Sequence, residues 1–206
     1  MYALTEVGKG KASVATIQSG VEPVLPKPPT RLAVSNIQPF SVVLQFTPGF
    51  DGNSSITKWS VQAKSARNST WADVYHYSDP DASAIVVHNL TPYMEYELRL
   101  VAQNVVGASK PSEPTHRFQT IQAPPKHPPM NVTLRAVSAT KLRVRWIPLQ
   151  QGEWYGIPRG YNISYRILED SSALHSVSIE DPNVNSFVLE DLQEFTLYEV
   201  ILQVKP

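Results

Sequence analysis

The chain has 206 residues, of which 18 are basic and 18 are acidic, and it contains no cysteine. The lack of cysteine excludes a disulfide framework and a thiolate metal site, and a net charge of zero argues against a nucleic-acid-binding protein, whose partner demands a basic surface. The sequence also has no apolar run of the roughly 18 residues that a membrane-spanning helix needs. Its first residues lack the apolar region of a signal peptide.

A β-rich pattern occurs twice along the chain, and the two copies are about 100 residues apart. Pro28-Pro29 opens the first copy and Pro128-Pro129 opens the second. The later matches are Leu44-x-Phe46 with Val144-x-Trp146, Trp59-x-Val61 with Tyr161-x-Ile163, and residues 90–96 with 192–198. A repeat of this length is too long for a solenoid unit and fits a whole small domain. The sequence therefore predicts two similar domains in tandem.

Short segments with apolar residues at alternate positions follow one another through the first copy. Val42, Leu44 and Phe46 illustrate the pattern, which places one face of a strand on a core and the other in water. The predicted strands are residues 30–37, 41–47, 57–65, 71–76, 83–89, 95–104 and 114–121. Seven short strands separated by turn signals predict a two-sheet sandwich, and no segment shows a helical period.

The repeat divides the chain into five predicted segments. They are residues 1–19 as the C-terminal remnant of a preceding domain, 20–29 as a proline-containing linker, 30–122 as a complete domain, 123–129 as a proline-rich linker, and 130–206 as a domain without its last strand. In the second copy we expect Val132 and Leu134 to face the core and the strand 198–204 to present one unpaired flank. The chain is thus expected to be a fragment of a longer array.

These residues resemble the fibronectin type III family. The shared features are an early proline at Pro28 and Pro128, an aromatic core position at Phe46 and Trp146, a tyrosine corner at 90–96 and 192–198, and a turn at 104–107. The resemblance implies an all-β, immunoglobulin-like sandwich of up to seven strands. It also implies that the hydroxyls of Tyr96 and Tyr198 bond to upstream backbone. Segments such as 128–134, 142–149 and 160–165 further resemble the repeats of sidekick-type cell-adhesion molecules.

That resemblance implies a non-catalytic extracellular spacer or interaction module. Its parent would be a single-pass plasma-membrane receptor for homophilic cell–cell adhesion, with a neuronal or synaptic setting. The expected partner is another cell-surface protein, bound through other domains of the parent, with no cofactor, no nucleic acid and no direct membrane contact. Two alternatives stay open: a cytoplasmic structural array of such domains, and an accessory module of a receptor phosphatase or other enzyme.

Five Asn-x-Ser/Thr sequons occur, more than chance predicts for this composition, and they favour a secreted or cell-surface protein. The candidate glycosylation sites are Asn53, Asn68, Asn89, Asn131 and Asn162. The alternative interpretation is that short polar loops produce such triplets without any glycan.

Two groups of residues are candidates for a contact surface. Lys141, Arg143 and Arg145 share the outer face of one predicted strand, where they could bind a glycosaminoglycan or simply form a solvated face. Trp154 and Tyr155 lie in a glycine-flanked loop, where they either form an exposed contact or fold back over the sheet edge. The histidines and the paired acids show neither metal-ligand spacing nor a calcium loop.

Overall fold

The structure is a computed structural model, and it describes residues 4–9, 14, 20–168 and 174–205. Within these ranges the chain forms fifteen strands and no helix. The described residues therefore contain no helix that could cross a membrane. Residues 30–119 build one β-sandwich, called the first domain, and residues 130–204 build another, called the second domain. The all-β prediction is confirmed.

The first domain has a three-stranded and a four-stranded antiparallel sheet, with strand orders β3-β4-β7 and β6-β5-β8-β9. The strands are β3 (Thr30–Ser35), β4 (Val42–Thr47), β5 (Lys58–Ser65), β6 (Ala72–Tyr77), β7 (Ala84–Val87), β8 (Glu95–Gln103) and β9 (Phe118–Gln119). Alternate residues of β4, β5 and β8 are buried between the sheets, with Leu44, Val61 and Leu98 fully enclosed. The period-two pattern of the sequence thus produces the core.

The segment predicted as a strand at 114–121 keeps only the short β9. Pro111 precedes this segment and Pro114 begins it, and proline has no N–H to donate to a sheet ladder. Hydroxyl groups take over part of the pairing with β8. The N–H groups of Leu98 and Leu100 donate to Thr115 Oγ1 (3.0 Å) and Ser112 Oγ (2.9 Å), and that of Ala102 donates to Ser109 Oγ (3.1 Å).

The second domain repeats the plan with two three-stranded sheets, ordered β10-β11-β14 and β13-β12-β15. The strands are β10 (Met130–Ser138), β11 (Lys141–Ile147), β12 (Tyr161–Ile167), β13 (His175–Ile179), β14 (Ser186–Leu189) and β15 (Tyr198–Val204). Val144, Trp146, Tyr161 and Ile163 are buried at its centre. In the described residues, β15 pairs with β12 on one flank and with no strand on the other.

Val132 and Leu134, which the sequence predicts to face the core, are 43% and 48% exposed. Leu134 does lie opposite the buried Val144, so it is on the inner face of its sheet. Its counterpart in the first domain, Val34, is half-buried and packs against the first core. Alternation identifies the inward side of a strand, but it does not show whether anything covers that side.

The first described residues form a small hairpin of β1 (Leu4–Thr5) and β2 (Gly8–Lys9). Its pairs Leu4↔Lys9 and Thr5↔Gly8 correspond to the bridge of Gln103 with Ala108 and the turn at 104–107. The sequence of residues 3–8 resembles that of residues 102–107, and the likeness extends to the backbone pairing. The remainder of the segment predicted as a preceding domain's end lies mostly outside the described residues.

Candidate functional site: the junction between the two domains

A loop of the second domain, residues 149–157 between β11 and β12, forms the centre of the contact between the domains and is called the junction loop. Trp154 fixes it to the second core: the side chain is 4% exposed, and its ring lies 5.7 Å from that of Tyr161. Its indole N–H donates to the Leu149 carbonyl (3.2 Å), and the Leu149 N–H donates to the Tyr161 hydroxyl (3.2 Å). The loop is therefore anchored by a buried aromatic side chain with its polar group satisfied.

The Tyr161 hydroxyl is held between two backbone groups of the second domain. It accepts the Leu149 N–H and donates to the Pro182 carbonyl at 3.1 Å. Burial raises the pKa of this phenol above its ordinary value, so it stays protonated and can donate. Tyr161 thus links the base of the junction loop to the turn between β13 and β14.

The junction loop binds residues 122–129 through its backbone; this segment is called the linker and includes Gln122 in addition to the predicted linker 123–129. Three hydrogen bonds join them: Ala123 N–H to the Tyr155 carbonyl (3.0 Å), Lys126 N–H to the Glu153 carbonyl (2.8 Å), and Ile157 N–H to Gln122 Oε1 (3.3 Å). The linker also contains Pro124 and Pro125, whose rings restrict its backbone to extended conformations. The linker is thus stiff by composition and tied to the domain that follows it.

Two side-chain contacts carry the junction loop onto the first domain. The ring of Tyr155 meets that of Phe40, from the β3–β4 turn, edge to face with centroids 5.8 Å apart and an interplanar angle of 82°. The guanidinium of Arg67, from the β5–β6 turn, lies over Gly152, where a β-carbon would overlap it. Tyr155 has a φ of 52°, so the loop adopts a left-handed conformation at the residue that makes the contact.

His127 and Glu153 form a pair on the linker side of the junction. Glu153 Oε1 lies 3.2 Å from His127 Nε2, and the Pro128 carbonyl lies 2.9 Å from His127 Nδ1. Both ring nitrogens face oxygen acceptors, so both contacts are hydrogen bonds only when the imidazole is doubly protonated. The Pro128 carbonyl and then Glu153 raise the pKa of His127, while the Gln150 N–H and then His127 lower the pKa of Glu153.

The same loop-to-linker arrangement recurs in the first domain. There the N–H groups of Val24 and Lys27 donate to the carbonyls of Gly52 and Phe50, each at 2.8 Å. The donors are three residues apart and the acceptors two residues apart, as they are in Ala123, Lys126, Tyr155 and Glu153. Asn104 adds a further tie in the first domain, because its amide donates to the Val24 and Asp51 carbonyls at 2.6 and 2.9 Å. Each domain therefore binds the segment that precedes it.

The two predicted corner tyrosines make matching hydrogen bonds. The Thr91 N–H donates to the Tyr96 hydroxyl at 3.0 Å, and the Gln193 N–H donates to the Tyr198 hydroxyl at 2.8 Å. In both domains the acceptor lies five residues after the donor. These bonds fasten the turn that leads into β8 and β15 to the strand itself.

Comparison with known proteins identifies the family. A family model described as fibronectin type III domain matches residues 27–118 and 127–206. The chain belongs to the fibronectin type III family. Chicken CNTN1 domains FN1–FN3, known from a crystal structure, superpose with a TM-score of 0.68 at 28% identity, covering 86% of this chain and 60% of that one. The predicted tandem type III sandwich is thus confirmed at the level of fold and family.

Relatives named sidekick match nearly the whole chain. Protein sidekick of Drosophila melanogaster is 64% identical over 97% of this chain, sidekick-2 of Mus musculus 42% over 98%, and sidekick-1 of Homo sapiens 39% over 98%. The predicted likeness to sidekick repeats is confirmed. The chain spans only 9–10% of the length of these relatives.

The five sequon asparagines of this type III pair lie on loops or outer strand faces. Asn53, Asn89 and Asn131 have φ values of 57°, 62° and 53° and are exposed. Asparagine tolerates this left-handed conformation well, so the backbone explains these three asparagines without a glycan. It does not explain the hydroxyl residue two positions later, so glycosylation stays a prediction.

The other two sequons differ in how their amides are used. Asn68 is exposed in the β5–β6 turn, where its Oδ1 accepts the Thr70 N–H (3.0 Å) and hydroxyl (2.7 Å). Asn162 is half-buried on β12, and its Oδ1 accepts the Ser176 hydroxyl at 3.0 Å. Of the two, Asn68 offers the more open acceptor.

The basic residues of β11 do not act as one set. Lys141 forms an ion pair with Glu190 at 2.6 Å, which raises the pKa of the lysine. Arg143 and Arg145 are exposed, and their side chains form no hydrogen bond or ion pair with any other described residue. Sequence reasoning missed Arg135, which lies directly opposite Arg143 on β10. The signal was present in the alternation of β10, but the pairing register was needed to reveal it. The described residues contain no cluster of three or more metal-ligating side chains.

Proposed function

We propose that this chain is a non-catalytic spacer and interaction module in the extracellular part of a cell-adhesion receptor, in which it holds neighbouring domains at a fixed angle. The observation that carries the proposal is the junction loop, which contacts its own core, the linker and the first domain at once. A loop used in this way leaves the two sandwiches little freedom to swing. The likeness to sidekick proteins supports the adhesion setting.

The finer parts of the proposal concern the parent protein. We place this chain in a single-pass plasma-membrane receptor that adheres homophilically through other domains, with a role at neuronal contacts. A module whose junction is fixed keeps the domains on either side of it at a defined distance and angle. A spacer between two cell surfaces requires this. The predicted division into linkers at 20–29 and 123–129 and domains at 30–122 and 130–206 is part of this proposal.

The fixed angle is tested by measuring a distance across the junction. The chain has no cysteine, so His116→Cys with Glu194→Cys gives one spin label on each domain. Both residues are exposed, and neither contributes a side chain to the junction. Pulsed dipolar spectroscopy should give a single narrow distance distribution. A broad distribution, as wide as that of two domains on a flexible tether, would contradict the proposal.

A pair of variants identifies the cause of any rigidity. Tyr155→Ala removes the ring that meets Phe40 and should broaden the distribution. Phe195→Ala removes a fully exposed ring elsewhere in the second domain and should leave it unchanged. Equal effects of the two substitutions would assign the rigidity to something other than the junction contact.

The extracellular setting is tested separately with secreted protein. Mass spectrometry of the chain passed through the secretory pathway should find glycan on Asn68, whose amide is exposed at a turn. Glycan on none of the five asparagines would favour the cytoplasmic array instead.

A further inference from the structure

The outer face of the sheet β10-β11-β14 carries three arginines that have no partner among the described residues. Arg135 lies directly opposite Arg143, and Arg145 lies two residues along the same strand. All three are exposed, and none forms a hydrogen bond or ion pair in the described residues. Glu190, which directly follows β14, is already bound to Lys141.

The pairing geometry fixes the spacing of these charges. Directly opposite residues have β-carbons about 5 Å apart, and residues two apart on a strand are separated by about 7 Å. Like charges directly opposite one another destabilise an antiparallel pair, so the Arg135–Arg143 arrangement opposes sheet stability. The cluster therefore does not contribute to the stability of the sheet.

The first domain shows that the fold does not need these charges. The same register in β3, β4 and β7 pairs Ser35 with Val43 and Ala33 with Gln45. Ser35, Val43 and Gln45 therefore occupy the positions of Arg135, Arg143 and Arg145 in an otherwise equivalent sheet. A backbone that accepts serine, valine and glutamine at these positions gives no structural reason for three arginines.

We propose that this face, called the arginine patch, binds a linear sulfated polysaccharide. Guanidinium groups bind sulfate and carboxylate oxygens with two parallel hydrogen bonds, which suits an anionic sugar polymer. The surface is a flat, open sheet, so it fits an extended chain that runs along the strands. The flanking Thr133 and Ser186 add hydroxyl groups on the same face.

A nucleic acid fits this surface less well. The residues paired with or beside the arginines on this face are Thr133, Ser186 and Val188, and none of them offers an aromatic ring on which a base could stack. The net charge of the whole chain is zero, so the attraction is confined to this face. The choice of polysaccharide rests on the proposed extracellular function, where such polymers surround the receptor.

The test compares the unsubstituted chain with a variant carrying Arg135→Ser, Arg143→Val and Arg145→Gln. These are the residues that the first domain holds at the same positions, so the variant should fold, and an unfolding midpoint equal to or higher than that of the unsubstituted chain verifies that it does. Binding of heparin, as the probe, is measured by calorimetry over a range of salt concentrations on unglycosylated protein. The variant should bind more weakly, and the slope of log K against log salt should fall by about two to three units, since each lost ion pair releases roughly one counterion fewer.

A matched control removes three positive charges outside the patch, through Lys64→Gln, Lys110→Gln and Arg117→Gln. It should bind heparin as the unsubstituted chain does. Equal weakening by the control and the patch variant would overturn the proposal, because the effect would then follow net charge. Unchanged binding by the patch variant would overturn it as well.

Two further probes identify the class of polymer. Chemically desulfated heparin should not bind, and a single-stranded oligonucleotide or vesicles rich in phosphatidylserine should bind more weakly than heparin does. Equal binding of the oligonucleotide or the vesicles would overturn the assignment to a sulfated polysaccharide. The distance across the junction, measured on the patch variant, should not change, so failure here is distinguishable from failure of the spacer proposal.

Discussion

Strands β8 and β15 occupy the same place in the two domains but differ in burial. Each pairs along its length with the strand that carries the central aromatic residue, Trp59 in β5 or Tyr161 in β12, and the registers match. The inward residues of β8 are buried, whereas those of β15 are only half-buried. The difference lies on the opposite flank, where residues 108–120 lie along β8 and no described strand pairs with β15. A strand's own apolar pattern therefore does not determine how well it is buried.

The covering segment of the first domain works through hydroxyl groups rather than through a regular ladder. Ser112 shows the arrangement: its N–H donates to the Leu100 carbonyl, its Oγ accepts the Leu100 N–H, and its hydroxyl donates to the Glu113 carbonyl. Both backbone groups of Leu100 on this flank are satisfied by one residue. This allows the segment to contain prolines and still seal the edge of the sheet.

The largest effect should come from equivalent leucines on the two strands. Leu100→Ala removes a fully buried side chain and should lower the free energy of unfolding of the first domain by about 2–5 kcal/mol. Leu202→Ala, at the matching position of β15, should cost only about 1–2 kcal/mol, because that side chain is already partly in water. Urea titration followed by amide NMR signals measures each domain separately. Equal losses would show that the segment 108–120, which lies along β8, does not strengthen the burial of Leu100.

Loss of the hydrogen bond from the Leu100 N–H to Ser112 Oγ should have the next largest effect. Ser112→Ala leaves the buried N–H of Leu100 without its side-chain acceptor and should cost about 1–3 kcal/mol in the first domain. Ser138→Ala is the matched control: its Oγ accepts the Thr140 N–H in an exposed turn, where water replaces it, so the change should be below about 0.5 kcal/mol. The same urea titration compares them. A neutral Ser112→Ala would mean that the segment covers β8 by contact alone.

The smallest effect concerns pH and the junction. The pKa of His127 is raised above 6.5, so its stabilisation is present below that value and is lost as pH rises through the raised pKa. The pKa of Glu153 is lowered from 4.5, so its stabilisation is lost as pH falls through the lowered pKa. The width of the distance distribution across the junction should therefore be smallest between the two pKa values and increase above that of His127.

Two histidine variants separate this pair from other titrating groups. His127→Gln should abolish the rise in width at higher pH, while His88→Gln, at a histidine that contacts Tyr75 in the first domain, should retain it. A pH dependence that survives His127→Gln would show that another group controls the junction.

The sequence predicted the strands well where alternation and turns agree. The strand predicted at 41–47 is β4, Val42–Thr47, and that at 95–104 is β8, Glu95–Gln103. The prediction of a strand at 114–121 failed, because Pro114 and hydroxyl groups such as that of Thr115 replace the regular ladder there. Such residues leave no periodic pattern in the sequence. It also could not show that Leu134 stays exposed, since burial depends on a neighbour rather than on the strand.

The junction was the least predictable part of the molecule. Trp154 and Tyr155 stood out as an aromatic pair, but the bonds that bind the loop to the linker join backbone groups of Ala123 and Lys126, which carry no signature in the side chains. The equivalent bonds of Val24 and Lys27 were invisible for the same reason. The three-dimensional structure is needed to reveal that both domains bind the segment before them through the same arrangement of backbone hydrogen bonds.

Hydrogen exchange at Ala123 and Lys126 tests the central claim, a fixed junction, most directly. If the junction loop binds the linker as described, the amide hydrogens of Ala123 and Lys126 exchange far more slowly than those of an unstructured peptide. Trp154→Ala should bring both exchange rates close to the unprotected rate, whereas Phe195→Ala should leave them slow. Exchange of Ala123 and Lys126 at the rate of an unprotected peptide in the unsubstituted chain would contradict the account, since the linker would then be free of the loop.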